Sequence, residues 1–141
     1  MQIKKATQDD IDSILKLQTQ IYRVEEISPD ANQTLQNQLK DKSCQILVVK
    51  EDEKIVATAT IYFIEVAARA RPYALLEGFV VDEKQRGRGI GRSLLRQCVD
   101  SARKKNCYKI IFTSGIDRAE VHNFYKKMGF RKWGLEFRKD L

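Results

Sequence analysis

The run Arg86-Gly87-Arg88-Gly89-Ile90-Gly91-Arg92 constrains this chain more than any other feature, because of what stands on either side of it. An apolar stretch over 75–81 leads into it, and a long amphipathic segment opens at Ile90. The order is strand, loop, helix. Glycines permit positive φ and close backbone approach, so successive N–H groups can converge on a phosphate at a helix start, where the dipole also favours negative charge. The run therefore implies a place to hold an anion.

Two phosphate-binding patterns fail here. Gly87, Gly89 and Gly91 give G-x-G-x-G rather than the dinucleotide fingerprint G-x-G-x-x-G, and no acidic residue stands about twenty positions on to take a ribose hydroxyl. A P-loop needs Gly-Lys followed by Ser or Thr, whereas Gly91 is followed by Arg92 and Ser93. What remains is R-x-x-G-x-G, with Arg86 leading and Gly89 and Gly91 as the paired glycines. A bland reading stays open beside it, a glycine-rich turn between strand and helix.

Charge supports the anion. The net charge is +7, and between positions 84 and 109 nine basic residues (Lys84, Arg86, Arg88, Arg92, Arg96, Arg103, Lys104, Lys105, Lys109) face one acid, Asp100. Such a patch suits a cofactor carrying several phosphates, a nucleic acid or an acidic membrane surface. Part of it is a solvated helix face. The segment lacks the interleaved aromatics of a stacking platform and any helix-turn-helix or zinc-finger signature, which disfavours nucleic acid.

The 141 residues fit one domain, 1–141, with its own core. No run approaches the roughly 18 apolar residues of a membrane helix, and the start leads directly into polar Thr7-Gln8-Asp9-Asp10, so a cytoplasmic protein with no membrane association is expected. Three cysteines, Cys44, Cys98 and Cys107, with the single His122 lack metal-ligand spacing, and no metal is expected. Cys98 falls on a helical apolar stripe and reads as a small buried hydrophobe rather than a nucleophile.

Periodicity orders the rest. Residues 2–5 read as a strand. Thr7 as N-cap with Asp10 three residues on, then Ile11, Ile14, Leu15, Gln18, Ile21 and Tyr22 at helical spacing, predict a first helix. A loop over 25–32 and a weaker helix ending near Lys42 follow. Positions 45–50 and 54–65 form a hairpin, and 73–81 the next strand, with Tyr73, Leu75, Glu77, Phe79 and Val81 on one face unless a bulge intervenes. Ile90, Leu94, Leu95, Cys98 and Ala102 mark a helix, 108–113 a parallel strand, 117–128 a last helix stopped by Gly129, and 130–138 a final strand.

Three further stretches stand in a fixed order about the loop: Glu77-Gly78-Phe79-Val80-Val81-Asp82 before it, Leu94-Leu95 after it, and Phe124-Tyr125-Lys126-Lys127-Met128-Gly129-Phe130 near the end. Together they resemble the GNAT N-acetyltransferase superfamily, well over 44–141 and in outline before that. Leu76 to Val81, Asn106-Cys107-Tyr108-Lys109-Ile110 and Asn123-Phe124-Tyr125-Lys126-Lys127 are locally similar to its glucosamine-6-phosphate N-acetyltransferase branch. Gly78 stands where that branch typically has aspartate, and the stretch from Trp133 to Lys139 is shorter than its counterpart. The resemblance implies an α/β (α+β) fold in the order β-α-α-β-β-β-α-β-α-β around a central, twisted, mostly antiparallel mixed sheet.

It also implies transfer of an acetyl group from acetyl-CoA to a primary amine, by direct attack in a ternary complex. The acceptor stays open, with small-molecule amines favoured and an amino sugar among them. No protein nucleophile is then required, in keeping with the missing Ser-His or Cys-His pair. The resemblance assigns the pantetheine arm to the backbone of Phe79, Val80 and Val81. It assigns the pyrophosphate to N–H groups of Gly87, Arg88, Gly89, Ile90, Gly91 and Arg92, with Arg86 and Arg88 adding positive potential. Asn123 is a further cofactor contact. Tyr125 is its general acid, the alternative being a core tyrosine, and Glu77 its general base, the alternative being an exposed strand carboxylate. A homodimer is compatible with the family. The competing class is a non-catalytic CoA-binding or nucleic-acid-associated regulatory module.

Overall fold

Alternating and β-branched residues between positions 44 and 81 build the centre of the sheet in the computed structural model, which describes residues 1–21, 24 and 26–141. Tyr22, expected on the first helical stripe, and Glu25, at the start of the expected loop, lie outside the described residues. Strands β1 (Gln2–Lys5), β2 (Cys44–Glu51), β3 (Lys54–Val66), β4 (Arg71–Val81) and β5 (Ile110–Ile111) lie side by side in sequence order. The first three pairings are antiparallel and β4 with β5 is parallel, a mixed α/β sheet as expected. Helices α1 (Ile11–Gln18), α2 (Ala31–Lys40), α3 (Ile90–Lys104) and α4 (Ala119–Lys127) complete the chain.

The described residues divide into two compact units, Met1–Ile111 and Phe112–Leu141. In the first unit, strand parity sends alternate residues to opposite faces. Ile46 and Val48 pack with Ile11, Ile14 and Leu35 of α1 and α2. On the other face Gln45 reaches Ser101 of α3. The stripe read from the sequence is the buried side of α3: Leu94, Leu95 and Cys98 are fully enclosed. Truncating either leucine to alanine in such a setting removes about 2–5 kcal/mol.

Two expected strands change. That over 108–113 shrinks to Ile110–Ile111. That over 130–138 does not form: residues 130–141 carry no helix or strand. Period-two apolarity is present there, but Trp133, Leu135 and Phe137 are 81%, 73% and 93% exposed. Alternation supplies one apolar face, whereas a strand also needs a partner ladder for its backbone. The second helix stops at Lys40, short of Lys42, because Asp41 turns extended and its carboxylate accepts the Ser43 N–H at 2.8 Å.

The first helix is anchored as its sequence suggests. Asp10, nearly buried, accepts the Thr7 N–H at 2.9 Å and Lys4 Nζ at 2.8 Å, tying β1 to the helix entry. Burial alone would raise the Asp10 carboxyl, but the Lys4 and Thr7 hydrogen bonds outweigh it and hold the pKa below its ordinary value. A carboxylate depressed on folding stabilises above its unfolded pKa of about 3.9, and that contribution disappears as pH falls through the folded value. Asp10→Ala is therefore expected to cost about 1–2 kcal/mol at pH 7. Chemical denaturation of both proteins across pH should show the difference shrinking below about pH 4.

Candidate functional site

The site grows from an irregularity in β4. Thr60 of β3 faces Glu77, and Thr58 faces Val80, so β4 holds one more residue than its partner there. Gly78 sits in that bulge at φ +58°, a left-handed conformation that costs a residue with a Cβ. The extra residue flips the parity. Glu77 shares a face with Tyr73, Leu75 and Val80, and Phe79 and Val81 turn to the other, so the five-residue face expected without a bulge is broken after Glu77.

The parallel partner ends early as well. β5 pairs with Ala74 and Leu75 only, so no described strand continues that ladder along 76–81. This stretch contains Phe79, Val80 and Val81, the proposed pantetheine contacts. An open strand edge presents unpaired backbone groups to whatever lies along it.

From the end of β4 the chain runs directly to the glycine loop. The Asp82 side chain accepts the Lys84 N–H at 2.9 Å, and Gln20 Oε1 accepts the Glu83 N–H at 2.9 Å. Arg86 Nε donates to the Val81 carbonyl at 3.1 Å, which fastens the loop's entry to the strand. Gly87 and Gly89 have φ of +79° and +82°, and a Cβ built on either meets nothing within 4 Å. Their role is backbone conformation, not close packing. Gly89 is the N-cap of α3. The first N–H groups of such a helix lack intrahelical acceptors, so those of Ile90, Gly91 and Arg92 stand at its positive end.

The two leading arginines differ in use. Arg88 donates to Glu51 Oε2 at 3.0 Å and also to Gln85 Oε1, so its charge is matched by the β2–β3 turn. Its expected contribution of free positive potential is thereby reduced, and it acts as a brace. Arg92 is exposed. The bracing residues Glu51, Gln85 and Gln20 are missed by reasoning from sequence, since an isolated polar side chain does not announce its partner.

Glu77 is exposed and lies beside Thr60 on the face carrying Tyr62. Gln38 of α2 donates to the Tyr62 hydroxyl at 2.5 Å. Burial raises the Tyr62 phenol, with the nearby Cys44 thiol and Glu77 carboxylate adding to it. A carboxylate, a phenol and an amide thus gather on one face of the first unit. Among the described residues, no cluster of three or more potential ligands could hold a metal. Cys98 is fully buried and its thiol is pushed up to about 12, so it is no nucleophile.

In the second unit, α4 carries Asn123, which is exposed, and Tyr125. The Tyr125 ring lies 4.4 Å from that of Phe112, 5.4 Å from Phe124 and 6.4 Å from Phe130, centroid to centroid. Gly129, at φ +87°, ends the helix and lets the Phe130 N–H reach the Tyr125 carbonyl at 3.1 Å. Burial pushes the Tyr125 phenol up, while Arg118 pulls it down more weakly.

A bulged strand with an open edge thus runs through a glycine loop into the start of α3. Residues 11–130 match the model of the acetyltransferase (GNAT) family, and the chain belongs to that family. A glucosamine 6-phosphate N-acetyltransferase of Trypanosoma brucei brucei is 38% identical over 66 residues, 47% of this chain and 43% of that protein. The alignments with such curated relatives thus span less than half of their length. A solved protein of Agrobacterium tumefaciens str. C58, provisionally named an acetyltransferase, is 31% identical over 99% of this chain and 100% of that one, with a TM-score of 0.87. The glucosamine-6-phosphate N-acetyltransferase of Arabidopsis thaliana shares the fold at 20% identity, covering 99% of this chain and 97% of that one, with a TM-score of 0.83.

The bulge makes a measurable demand on Gly78. A Cβ there would lie 3.6 Å from Gln18 Nε2 and 3.7 Å from Thr60 Oγ1, which is ordinary contact, so strain rather than space sets the cost. Gly78→Ala is expected to lose about 1–2 kcal/mol through its left-handed backbone. Urea unfolding of the two proteins measures this, and equal midpoints would show that the backbone there relaxes freely.

Proposed function

We propose that this protein moves an acetyl group from acetyl-CoA to a primary amine, by direct attack within a ternary complex. The observation that carries the reading is the open edge of β4 leading without interruption into the glycine loop and the start of α3. A long thioester with a pyrophosphate at its far end matches that layout. In this reading the backbone of Phe79, Val80 and Val81 holds the pantetheine arm by strand-like pairing. The N–H groups from Gly87 to Arg92 hold the pyrophosphate, Arg86 keeps the loop entry in place, and Asn123 adds a contact from α4.

Glu77 would take the proton from the attacking amine, directly or through water. Tyr125 would return a proton to the departing thiolate. The motif Phe124-Tyr125 to Gly129-Phe130 favours this role over that of a core tyrosine. Because burial raises its pKa, the proton-donating form persists past the ordinary value of about 10, and any alkaline loss of rate that Tyr125 causes is centred above that pH. The acceptor in this reading is a small amine, with an amino sugar among the candidates because relatives carry that name. Reduced cysteines suit a cytoplasmic setting, and a homodimer is compatible with the family.

Release of free thiol from acetyl-CoA across a panel of amines tests the reading, and turnover with at least one small amine is expected. Binding of acetyl-CoA with no turnover on any amine would make the protein a non-catalytic CoA-binding module. Gly89→Glu, which places a carboxylate where the pyrophosphate belongs, should abolish acetyl-CoA binding in calorimetry while the protein stays folded.

Tyr125→Phe separates the two roles of that residue. Loss of general acid catalysis is worth about 10²-fold or more in turnover. The ring contacts survive the substitution, so thermal stability should hardly move. An unchanged turnover number would return Tyr125 to the core.

A further inference from the structure

A second basic site lies on the sheet face that carries α3, away from the glycine loop. There a cavity of about 420 Å3 opens between the last turns of α3 and the edge strand β1, a size within the range of small-ligand pockets. Gln97 is already seven residues beyond Ile90 and lines the cavity with Lys104 and Lys105 from the helix end. Lys5 enters from the strand.

The lining is built from two kinds of group. At the base, Gln45 Nε2 donates to Ser101 Oγ at 3.0 Å, and Ser101 is only 5% exposed. This polar pair interrupts an otherwise apolar helix-to-sheet contact, and the Ser101 hydroxyl proton and the Gln97 amide are left to donate elsewhere. Lys5, Lys104 and Lys105 line the cavity with no carboxylate partner among the described residues. Lys105 lies over the Phe63 ring at 5.5 Å, which restrains it. Lys4, also at the rim, is already neutralised by Asp10 at 2.8 Å.

Three lysines from two elements lining one cavity make it attractive to an anion of more than one charge. Part of this charge offsets the negative end of the α3 dipole, which amounts to roughly half an elementary charge. Most of it is left over. An ammonium group serves a phosphate as a point charge, so several lysines together match the spread charge of a phosphate chain.

We propose that this cavity is a second anion site, separate from the glycine loop, which takes a di- or triphosphate chain through Lys5, Lys104 and Lys105, with Gln97 and Ser101 as hydrogen-bond donors. The phosphate chain could be inorganic or part of a nucleotide.

Calorimetric titration of the full chain with inorganic tripolyphosphate, and in a second arm with ATP, tests this. Both arms use protein saturated with CoA to fill the loop, and both are repeated on Gly89→Glu. One-to-one binding that weakens with salt and survives Gly89→Glu is expected. The triple substitution Lys5→Gln, Lys104→Gln and Lys105→Gln should weaken it at least tenfold without lowering the thermal midpoint. Equal affinity for the two probes would mean that the phosphate chain alone is read, and tighter ATP binding that the nucleoside contributes too. Absence of binding, loss of binding in Gly89→Glu, or unchanged affinity in the triple variant would each overturn the proposal.

Discussion

Everything at the candidate donor site depends on one mismatch in hydrogen bonding: β4 carries a residue more than β3 can pair, and β5 stops pairing with β4 after Leu75. A regular sheet would have spent the backbone of 76–81 on both neighbours and left nothing to hold a ligand. Gly78 makes the mismatch tolerable because a left-handed residue without a Cβ turns the strand at little cost. The bulge also rotates the side chains, so Glu77 and Phe79, two positions apart, face opposite ways.

The loop that follows is held by the protein's own charges before any ligand arrives. Arg86 is tied to Val81 and Arg88 to Glu51, so two of the loop's cations act on geometry. The Arg88 to Glu51 pair is partly exposed, and such pairs contribute at most about 1 kcal/mol to stability. Its value lies in orientation. Preorganised N–H groups at a helix start bind an anion without a metal, because the dipoles already point at it.

Much of this was legible in the amino-acid sequence, for physical reasons that differ by element. The strand, glycine loop and α3 are readable because each leaves a local mark: an apolar run, residues suited to positive φ, and the stripe Ile90, Leu94, Leu95, Cys98. Asp10 is readable as part of the helix entry because its partner Thr7 is three residues away. The bracing of Arg88 by Glu51 is not, since the partners lie 37 positions apart and either could equally be a solvated charge. The row Trp133, Leu135, Phe137 misleads for the opposite reason. Its alternation is the mark of a strand, but pairing is a property of two segments, and alternation describes only one.

The same reasoning explains why the donor side can be read further than the acceptor side. A donor cradle made of backbone needs only residue types that permit a conformation, and glycine at a strand-to-helix junction is such a type. An acceptor pocket is made of side chains whose meaning lies in their neighbours. Tyr62, Gln38, Thr60 and Glu77 come from two strands and a helix, and only folding gathers them on one face. None of them carries a positive charge, whereas the cavity beside α3 is ringed by lysines. Glu77 and the lysines of that cavity thus lie on opposite faces of the sheet.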